Sequence, residues 1–392
     1  MMRDDNSHAQ PDSTKMDHEE KLQTQVLTDY LKNLHYKYKC ENPIHTISLT
    51  TFGCLRPKHI LLASLISRNP CQCIHHQNMA LKVQALRNNG VKISENPENL
   101  IGNAGDFHER LKTLPSNVVY RIWKKVTLEN GKTKMKIVEI KCQVESFKED
   151  LKKQLEVFDQ HVQRVYEQYQ HIRQLKESLP EDDIVVQMDF AEKFSCRSLD
   201  EIQTAYWNQS LITLHPVVAY YKENDELKHK SFIFISDERS HSSGTVAAFL
   251  DRLIPELKEM KSNLKFIHYW TDSPPSQYRN RFIFYLIAHH RNLYSIGAKW
   301  NYFKVGHGKG PCDGLGETVK RMADEAIRQV NAVFQDASDL HAWGTKSRMT
   351  GVCFIYVSSE ATKLKQCELN SVKTKPLPNT MKYRAVGITD DP

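Results

Sequence analysis

The sequence predicts an α/β fold. A mixed sheet, made of a three-strand antiparallel meander and then parallel strands with crossover helices, follows a mainly helical N-terminal region. Three observations carry this expectation. Short β-branched and aromatic runs recur between residues 184 and 305. Helical spacing separates the later runs but not the first three. Between residues 147 and 179 the apolar residues recur at steps of three and four, as one helix face requires.

The strand candidates are IVVQMDF (184–190), LITLHPVVAYY (211–221) and HKSFIFIS (229–236), the last two joined by the charged turn KENDELK. GTVAAFLDRLIPELKEM (244–260) reads as a helix, LKFIHYW (264–270) as the fourth strand and SQYRNRFIFYLIAHH (276–290) as a helix. KWNYFKV (299–305) is the fifth strand, followed by the helix GETVKRMADEAIRQVNAVF (316–334). Strand, strand, strand, helix, strand, helix, strand, helix is the order of an RNase H-like fold. VCFIYVSSE (352–360) adds a late strand, and the Pro-containing end from Lys373 reads as irregular.

Upstream, residues 1–20 are polar and charged and read as a disordered tail. Residues 21–90 read as a helical region and 91–180 as a basic segment plus a long helix. The core spans 181–335, with a C-terminal extension over 336–392. In the basic segment, Asn130-Gly131 sits between two strand-like runs, a hairpin signal. The long helix covers 144–179, with Phe147, Leu151, Leu155, Phe158, Val162, Val165, Tyr169, Ile172, Leu175 and Leu179 on its apolar face, and Pro180 ends it. From Leu151 to Ile172 the steps alternate four and three, which leaves a coiled-coil arm of a homo-oligomer open. Phe158 and Tyr169 on that seam favour a helix packed on its own domain.

The chain has 392 residues, which suggests two or three domains, and a formal charge of +7. That mild basic excess permits a polyanionic partner. No apolar run reaches the roughly 18 residues of a transmembrane helix, and the polar start is no signal peptide, so no membrane partner is expected. The nine cysteines therefore read as reduced thiols rather than a disulfide framework.

Two acids sit where such a sheet concentrates chemistry. Asp189 ends the first strand and Asp272 follows the fourth, and those strands can be neighbours. A carboxylate after an apolar strand is costly to bury unpaired, and a shared divalent cation removes the cost. A third acid is expected on or before the last helix, and Asp313 and Glu317, four residues apart, are the candidates. Oxygen ligands suit Mg²⁺ or Mn²⁺, and two such ions would promote phosphodiester hydrolysis or strand transfer. An Asp at a strand end also serves as a turn former or helix cap, and the joint placement in this element order is what favours the catalytic reading. The glycine-rich segment 306–316 lets backbone amides approach phosphate, with Lys309 and His307 as candidate contacts. Arg279, Lys320 and Arg321 around the acids complete the candidate DNA-binding set in the core. Trp207, His215 and His241 read as structural.

The runs MDFAEKF, HPVVAYY, SDERSH, TDSPPSQYRNR and HGKGPCDGLGETVKR, with FGCLRPKHI and CQCIHHQNM upstream, resemble animal DNA-transposon-derived proteins similar to RNase H-like DDE/D transposases. The resemblance spans most of residues 25–335. It implies that Asp189 and Asp272 are the first two metal-binding acids. Similar sequences tend to read Asp-Gly-Ile-Gly-Gly at the third, with Gly in place of Glu317, which favours Asp313. Ser-Pro-Pro-Ser at 273–276 stands where relatives carry a more Gly- and Ala-like loop, and stiffens the backbone beside Asp272.

In the N-terminal region, Cys54, Cys71, Cys73 and His76 are candidate ligands of a structural Zn²⁺, against buried reduced thiols. Ser48 or Thr50 is positioned to cap a short helix followed by Arg56 and Lys58, a candidate helix-turn-helix contact to DNA. The expected function is a transposase or transposase-derived protein that binds double-stranded DNA in the nucleus, with no small-molecule substrate. The alternatives are a catalytically inactive, domesticated DNA-binding or protein-interaction protein, and an RNase H-like exonuclease.

Overall fold

A computed structural model of the chain describes residues 2–3, 25–27, 31–43, 47–57, 60–62, 73–101, 109–198, 202, 209–329, 332–347, 349–375 and 377–387. The chain divides into two units, Met1–Val162 and Gln163–Pro392. Among the described residues no helix is long and apolar enough to cross a membrane.

In the first unit a small sheet pairs β1 (Met2–Arg3), β2 (Gln25–Leu27) and β3 (Ile60–Leu62). Helices α1 (Leu31–Glu41), α2 (Leu49–Cys54) and α3 (Ile74–Asn88) follow the predicted helical texture. Ser48 caps α2 as expected, its Oγ accepting from the Thr51 N–H at 3.0 Å. The Asn130-Gly131 signal becomes a hairpin of β4 (Asn117–Thr127) and β5 (Thr133–Gln143), with Gly131 at φ +75° in its loop.

The predicted long helix is α4 (Val144–Glu177). Its face carrying Phe147, Leu151 and Phe158 is buried with Met79, Val83 and Leu86 of α3 and with Val118 and Tyr120 of β4. Burial against its own unit is what the packed-helix reading requires.

The second unit is built on one eight-stranded sheet. Its central strand β6 (Asp183–Met188) explains why the sequence reads as an apolar run. Ile184, Val186 and Met188 enter one core and Val185 another on the opposite side, so neither face is left for water. β7 (Phe194–Ser195) pairs with β8 (Leu211–Glu223), which turns back into β9 (Glu226–Ser236). That turn is tight, with Asn224 and Asp225 at φ +54° and +62°. Helix α5 (Ser243–Met260) leads to β10 (Phe266–Thr271). Helices α6 (Arg281–Ala288) and α7 (His290–Tyr294) lead to β11 (Gly297–Tyr302), and α8 (Pro311–Arg328) follows.

The spatial order through these strands is β9-β8-β6-β10-β11, with β6, β8 and β9 antiparallel neighbours and β10 parallel to both β6 and β11. This is the predicted meander followed by parallel strands. Helices cover both faces. Val246, Phe249 and Leu253 of α5 and Ile283 and Ile287 of α6 lie on one core, while Val319, Ala323 and Ile327 of α8 lie on the other.

Two parts of the sequence reading change. The segment after residue 336 is woven into the sheet. α9 (Ala337–Lys346) precedes β12 (Val352–Tyr356), which extends the sheet parallel to β9, and α10 (Ser359–Ser371) follows. The end read as irregular contains β13 (Ala385–Gly387), antiparallel to β11. Three residues carry no readable period, and their place is set by backbone pairing to an edge that the helices leave open.

Candidate functional site

The parallel register of β6 and β10 pairs Gln187 with Trp270. Two residues further along each strand stand Asp189 and Asp272, so the two acids leave the sheet side by side. Asp189 stays beside β8, its N–H donating to the Pro216 carbonyl at 3.2 Å, and its Oδ1 accepts from the Phe190 N–H at 2.8 Å. Beneath it Phe190 stacks on His241 at 4.2 Å and meets His215 edge-on at 4.4 Å. His215 Nε2 and Tyr278 Oη are 2.9 Å apart, and both residues are buried. Burial holds the His215 imidazole neutral, pushed down to about 3.

Asp272 opens a turn stiffened by Pro274 and Pro275, whose first carbonyl accepts from the N–H groups of Gln277 and Tyr278. Ser273 Oγ donates to the Phe303 carbonyl at 2.5 Å and ties that turn to the chain after β11. Asp272 Oδ1 is buried and has no hydrogen-bond partner among the described residues.

The loop between β11 and α8 closes over this edge. Gly308 lies against Asp272: a Cβ there would stand 2.9 Å from Asp272 Cβ. Gly310 begins α8 by donating its N–H to Asp313 Oδ2 at 2.8 Å, which puts Asp313 in the first helical turn. Cys312, one residue earlier, donates to the Gln187 carbonyl at 3.3 Å and packs the helix start onto β6.

The electrostatics follow from this crowding. Burial, then the Asp272 carboxylate, push the Asp189 carboxyl up to about 7; its bond to the Phe190 N–H opposes them, and Asp313 adds to the rise. Asp272 is also raised, chiefly by burial, against the opposing pull of the Ser273 N–H, Arg279 and His307. The three aspartates thus feel one another. Glu317 is exposed one turn on and pairs with Lys320 at 2.6 Å.

The basic candidates divide. Lys309 is exposed on the loop. Arg279 is 5% exposed, lies 4.3 Å over the Tyr302 ring and donates to the Met381 carbonyl at 3.1 Å. Its charge is therefore buried, where it opposes the rise of the Asp272 carboxyl, rather than presented to an external strand. His307 is also buried, and its carbonyl accepts from Tyr169 Oη at 2.6 Å, so it is not a surface phosphate contact. A polar loop sequence does not reveal that its side chains turn inward. Lys320 is held by Glu317 and Arg321 by Glu325 at 3.2 Å, which offsets both charges. Arg56 is half-buried, while Lys58 and Trp207 lie outside the described residues.

Sequence reasoning missed Tyr278, Gln187 and Lys176. Lys176 Nζ donates to Gln187 Oε1 at 2.7 Å and sits 3.4 Å over the Tyr220 ring, and burial lowers it to about 8. The available signal was the alternation of β6, which puts Gln187 on the same side as Asp189.

In the first unit a second group converges. Cys73 Sγ and ring nitrogens of His76 and His161 lie within 4.8 Å of one another, all buried. Such a cluster is able to hold a metal ion. Cys73 and His76 were expected ligands; His161 was not. Cys54 is exposed on α2 and is not a member of the cluster, and Cys71 lies outside the described residues.

Comparison with known families finds a match to a domain of unknown function (DUF8701) over residues 168–391 and to another (DUF8699) over residues 1–64. No curated protein and no solved structure matches.

Proposed function

The chain belongs to the DUF8701 family, and from the geometry of its second unit we propose that it is a transposase or transposase-derived protein with an RNase H-like core. In this reading it cuts or joins phosphodiester bonds in double-stranded DNA, and a nuclear location follows from that substrate. One observation carries the reading: Asp189 and Asp272 emerge side by side from parallel neighbours β6 and β10, with Asp313 close enough to raise both. The strand order β9-β8-β6-β10-β11 supports the fold assignment.

The residues fit a hard divalent cation. Among the described residues Asp272 Oδ1 is a buried oxygen with no hydrogen-bond partner, and burial together with the neighbouring carboxylates raises Asp189 even with Arg279 acting on Asp272. Asp189, Asp272 and Asp313 would hold Mg²⁺ or Mn²⁺ through oxygen, the donor type these ions prefer. Such ions, held by these residues, would supply activation of the attacking oxygen and stabilisation of the leaving one. The protein's own groups do the rest. The Phe190–His215–Tyr278 floor keeps water from beneath the carboxylates, and the stiff Ser273–Ser276 turn fixes Asp272. Lys309, exposed on the loop, faces solvent where a phosphate would arrive.

A polyanionic partner is supported independently by the first unit. The β4–β5 ribbon carries seven basic and two acidic side chains over residues 117–143, a net +5 of the chain's +7. All seven are exposed, and Lys124 stands directly opposite Lys136, a like-charge pairing that costs stability by itself. A two-stranded ribbon has the width a DNA major groove admits. Lys124, Lys125, Lys134 and Lys136 changed together to Gln should weaken DNA binding. The slope of log affinity against log salt should fall by about 3 to 4. An unchanged slope would remove the ribbon from the interface.

The function itself is tested by cleavage and strand transfer on labelled duplex DNA with Mg²⁺ or Mn²⁺, comparing wild type with Asp189→Ala and Asp272→Ala. The expected result is cation-dependent product in wild type and none in either variant. Product that survives both substitutions sinks this active site. Binding without cleavage by folded wild type points to a domesticated binder.

A further inference from the structure

We propose that the first unit contains a zinc site whose ligands are Cys73 Sγ, His76 Nδ1 and His161 Nε2. This inference does not depend on the nuclease reading.

The three donors come from two elements that the fold brings together for other reasons. Cys73 is the N-cap of α3, and its sulfur accepts from the His76 N–H at 3.4 Å. The positive end of a helix dipole favours the thiolate form of a sulfur placed there, and the thiolate is the form that binds metal. The Cys-x-x-His spacing returns His76 to the same end of the helix, with Nδ1 3.2 Å from the sulfur. His161 arrives from α4, with Nε2 3.3 Å from the same sulfur. It stands three residues after Phe158, on the stretch of α4 that packs against α3.

The distances suit the ion. Zn–S near 2.3 Å and Zn–N near 2.0–2.1 Å at a tetrahedral angle separate sulfur from nitrogen by about 3.6 Å. The observed 3.2 and 3.3 Å are a few tenths shorter, so an ion enters by a small outward shift of the side chains.

The surrounding groups prepare the ligands. Glu98 Oε1 lies 3.0 Å from His76 Nε2, the place from which a carboxylate would hold the Nε2 proton once Nδ1 coordinates a metal. A carboxylate behind a ligating imidazole is the usual outer partner of zinc. The His75 ring stacks on His161 at 4.6 Å and Phe158 meets His76 edge-on at 4.9 Å, which fixes both ring planes. Cys73, His76 and His161 are 6%, 6% and 1% exposed. One sulfur and two imidazoles match the donor preference of Zn²⁺ and not that of Mg²⁺ or Mn²⁺, so the site is chemically distinct from the aspartates of the second unit. With three protein ligands, the fourth tetrahedral position would be open to water or another donor.

The test uses the full chain. Elemental analysis after purification should find about one zinc per chain. Replacement by Co²⁺ should give the intense near-ultraviolet band of a thiolate–Co²⁺ bond together with tetrahedral d–d bands. Cys73→Ser and His161→Ala should lose the bound zinc and the thiolate band, while Cys54→Ser should keep both. Should His161→Ala fail to fold, His161→Cys restores a zinc ligand and should recover metal binding, with a stronger charge-transfer band. Wild type that binds neither ion above background, Co²⁺ bound without a thiolate band, or zinc retained in Cys73→Ser would each overturn the assignment.

Discussion

Asp189→Asn is expected to abolish cation-dependent cleavage while making the cation-free protein more stable at neutral pH. The substitution keeps shape and still accepts the Phe190 N–H that Asp189 Oδ1 accepts at 2.8 Å, so the fold has no reason to change. It removes a ligand charge, and the several kcal/mol of transition-state stabilisation a cation supplies corresponds to a loss of about 10³-fold or more. The stability gain comes from the same crowding. The Asp189 carboxyl is raised from its ordinary 3.8 to about 7, by burial first and then by Asp272. Folding therefore favours the protonated form. This contribution is full below the unfolded value and is lost as pH climbs through the folded one. The cation-free wild type should lose stability between about pH 4 and pH 7. Asp189→Asn should flatten that slope, with a melting temperature about 2–4 °C higher for each kcal/mol of repulsion relieved. Thermal melts across that range, run beside cleavage assays, check both halves. A variant that loses activity and stability together would indicate a structural carboxylate.

Gly308→Ala should damage the site through a different residue. The new Cβ would lie 2.9 Å from Asp272 Cβ and 3.1 Å from its Cγ, closer than carbon atoms pack, so Asp272 or the loop must move. A displacement near 1 Å in a catalytic ligand costs about 10²-fold. Gly310→Ala on the same loop is the control: its Cβ would find Gln187 Nε2 at 3.6 Å, an ordinary contact, and activity should fall far less. Equal losses in the two variants would mean that the loop responds to stiffening rather than to a push on Asp272.

The core was legible where chemistry and period coincide. β6, β8 and β9 are buried on both faces, so unbroken Ile, Val and Phe runs reveal them, and helical spacing separates β10 and β11 from their neighbours. The placement of Asp189 and Asp272 beyond neighbouring strands was readable because an acid stands out at the end of an apolar strand. What pattern does not carry is long-range convergence. His161 lies 88 residues from the sulfur it approaches, and only a histidine on an apolar helix face hinted at it. Arg279 and His307 looked like DNA contacts because a sequence shows charge and not direction; burial turns both inward. β13 escaped because three residues bound to a sheet edge have no period of their own. Between Asp313 and Glu317, both exposed, what favours Asp313 is its place in the first turn of α8, where its charge raises Asp189, while Glu317 one turn on pairs with Lys320.

The most direct measurement is a Mn²⁺ titration of the full chain, followed by the electron paramagnetic resonance signal of the free ion, on wild type, Asp189→Asn, Asp272→Asn, Asp313→Asn and Glu317→Gln. The account predicts saturable Mn²⁺ binding in wild type and Glu317→Gln that weakens at least about tenfold in each aspartate variant, as loss of a ligand charge requires. Binding that is indifferent to Asp189 and Asp272 would contradict it.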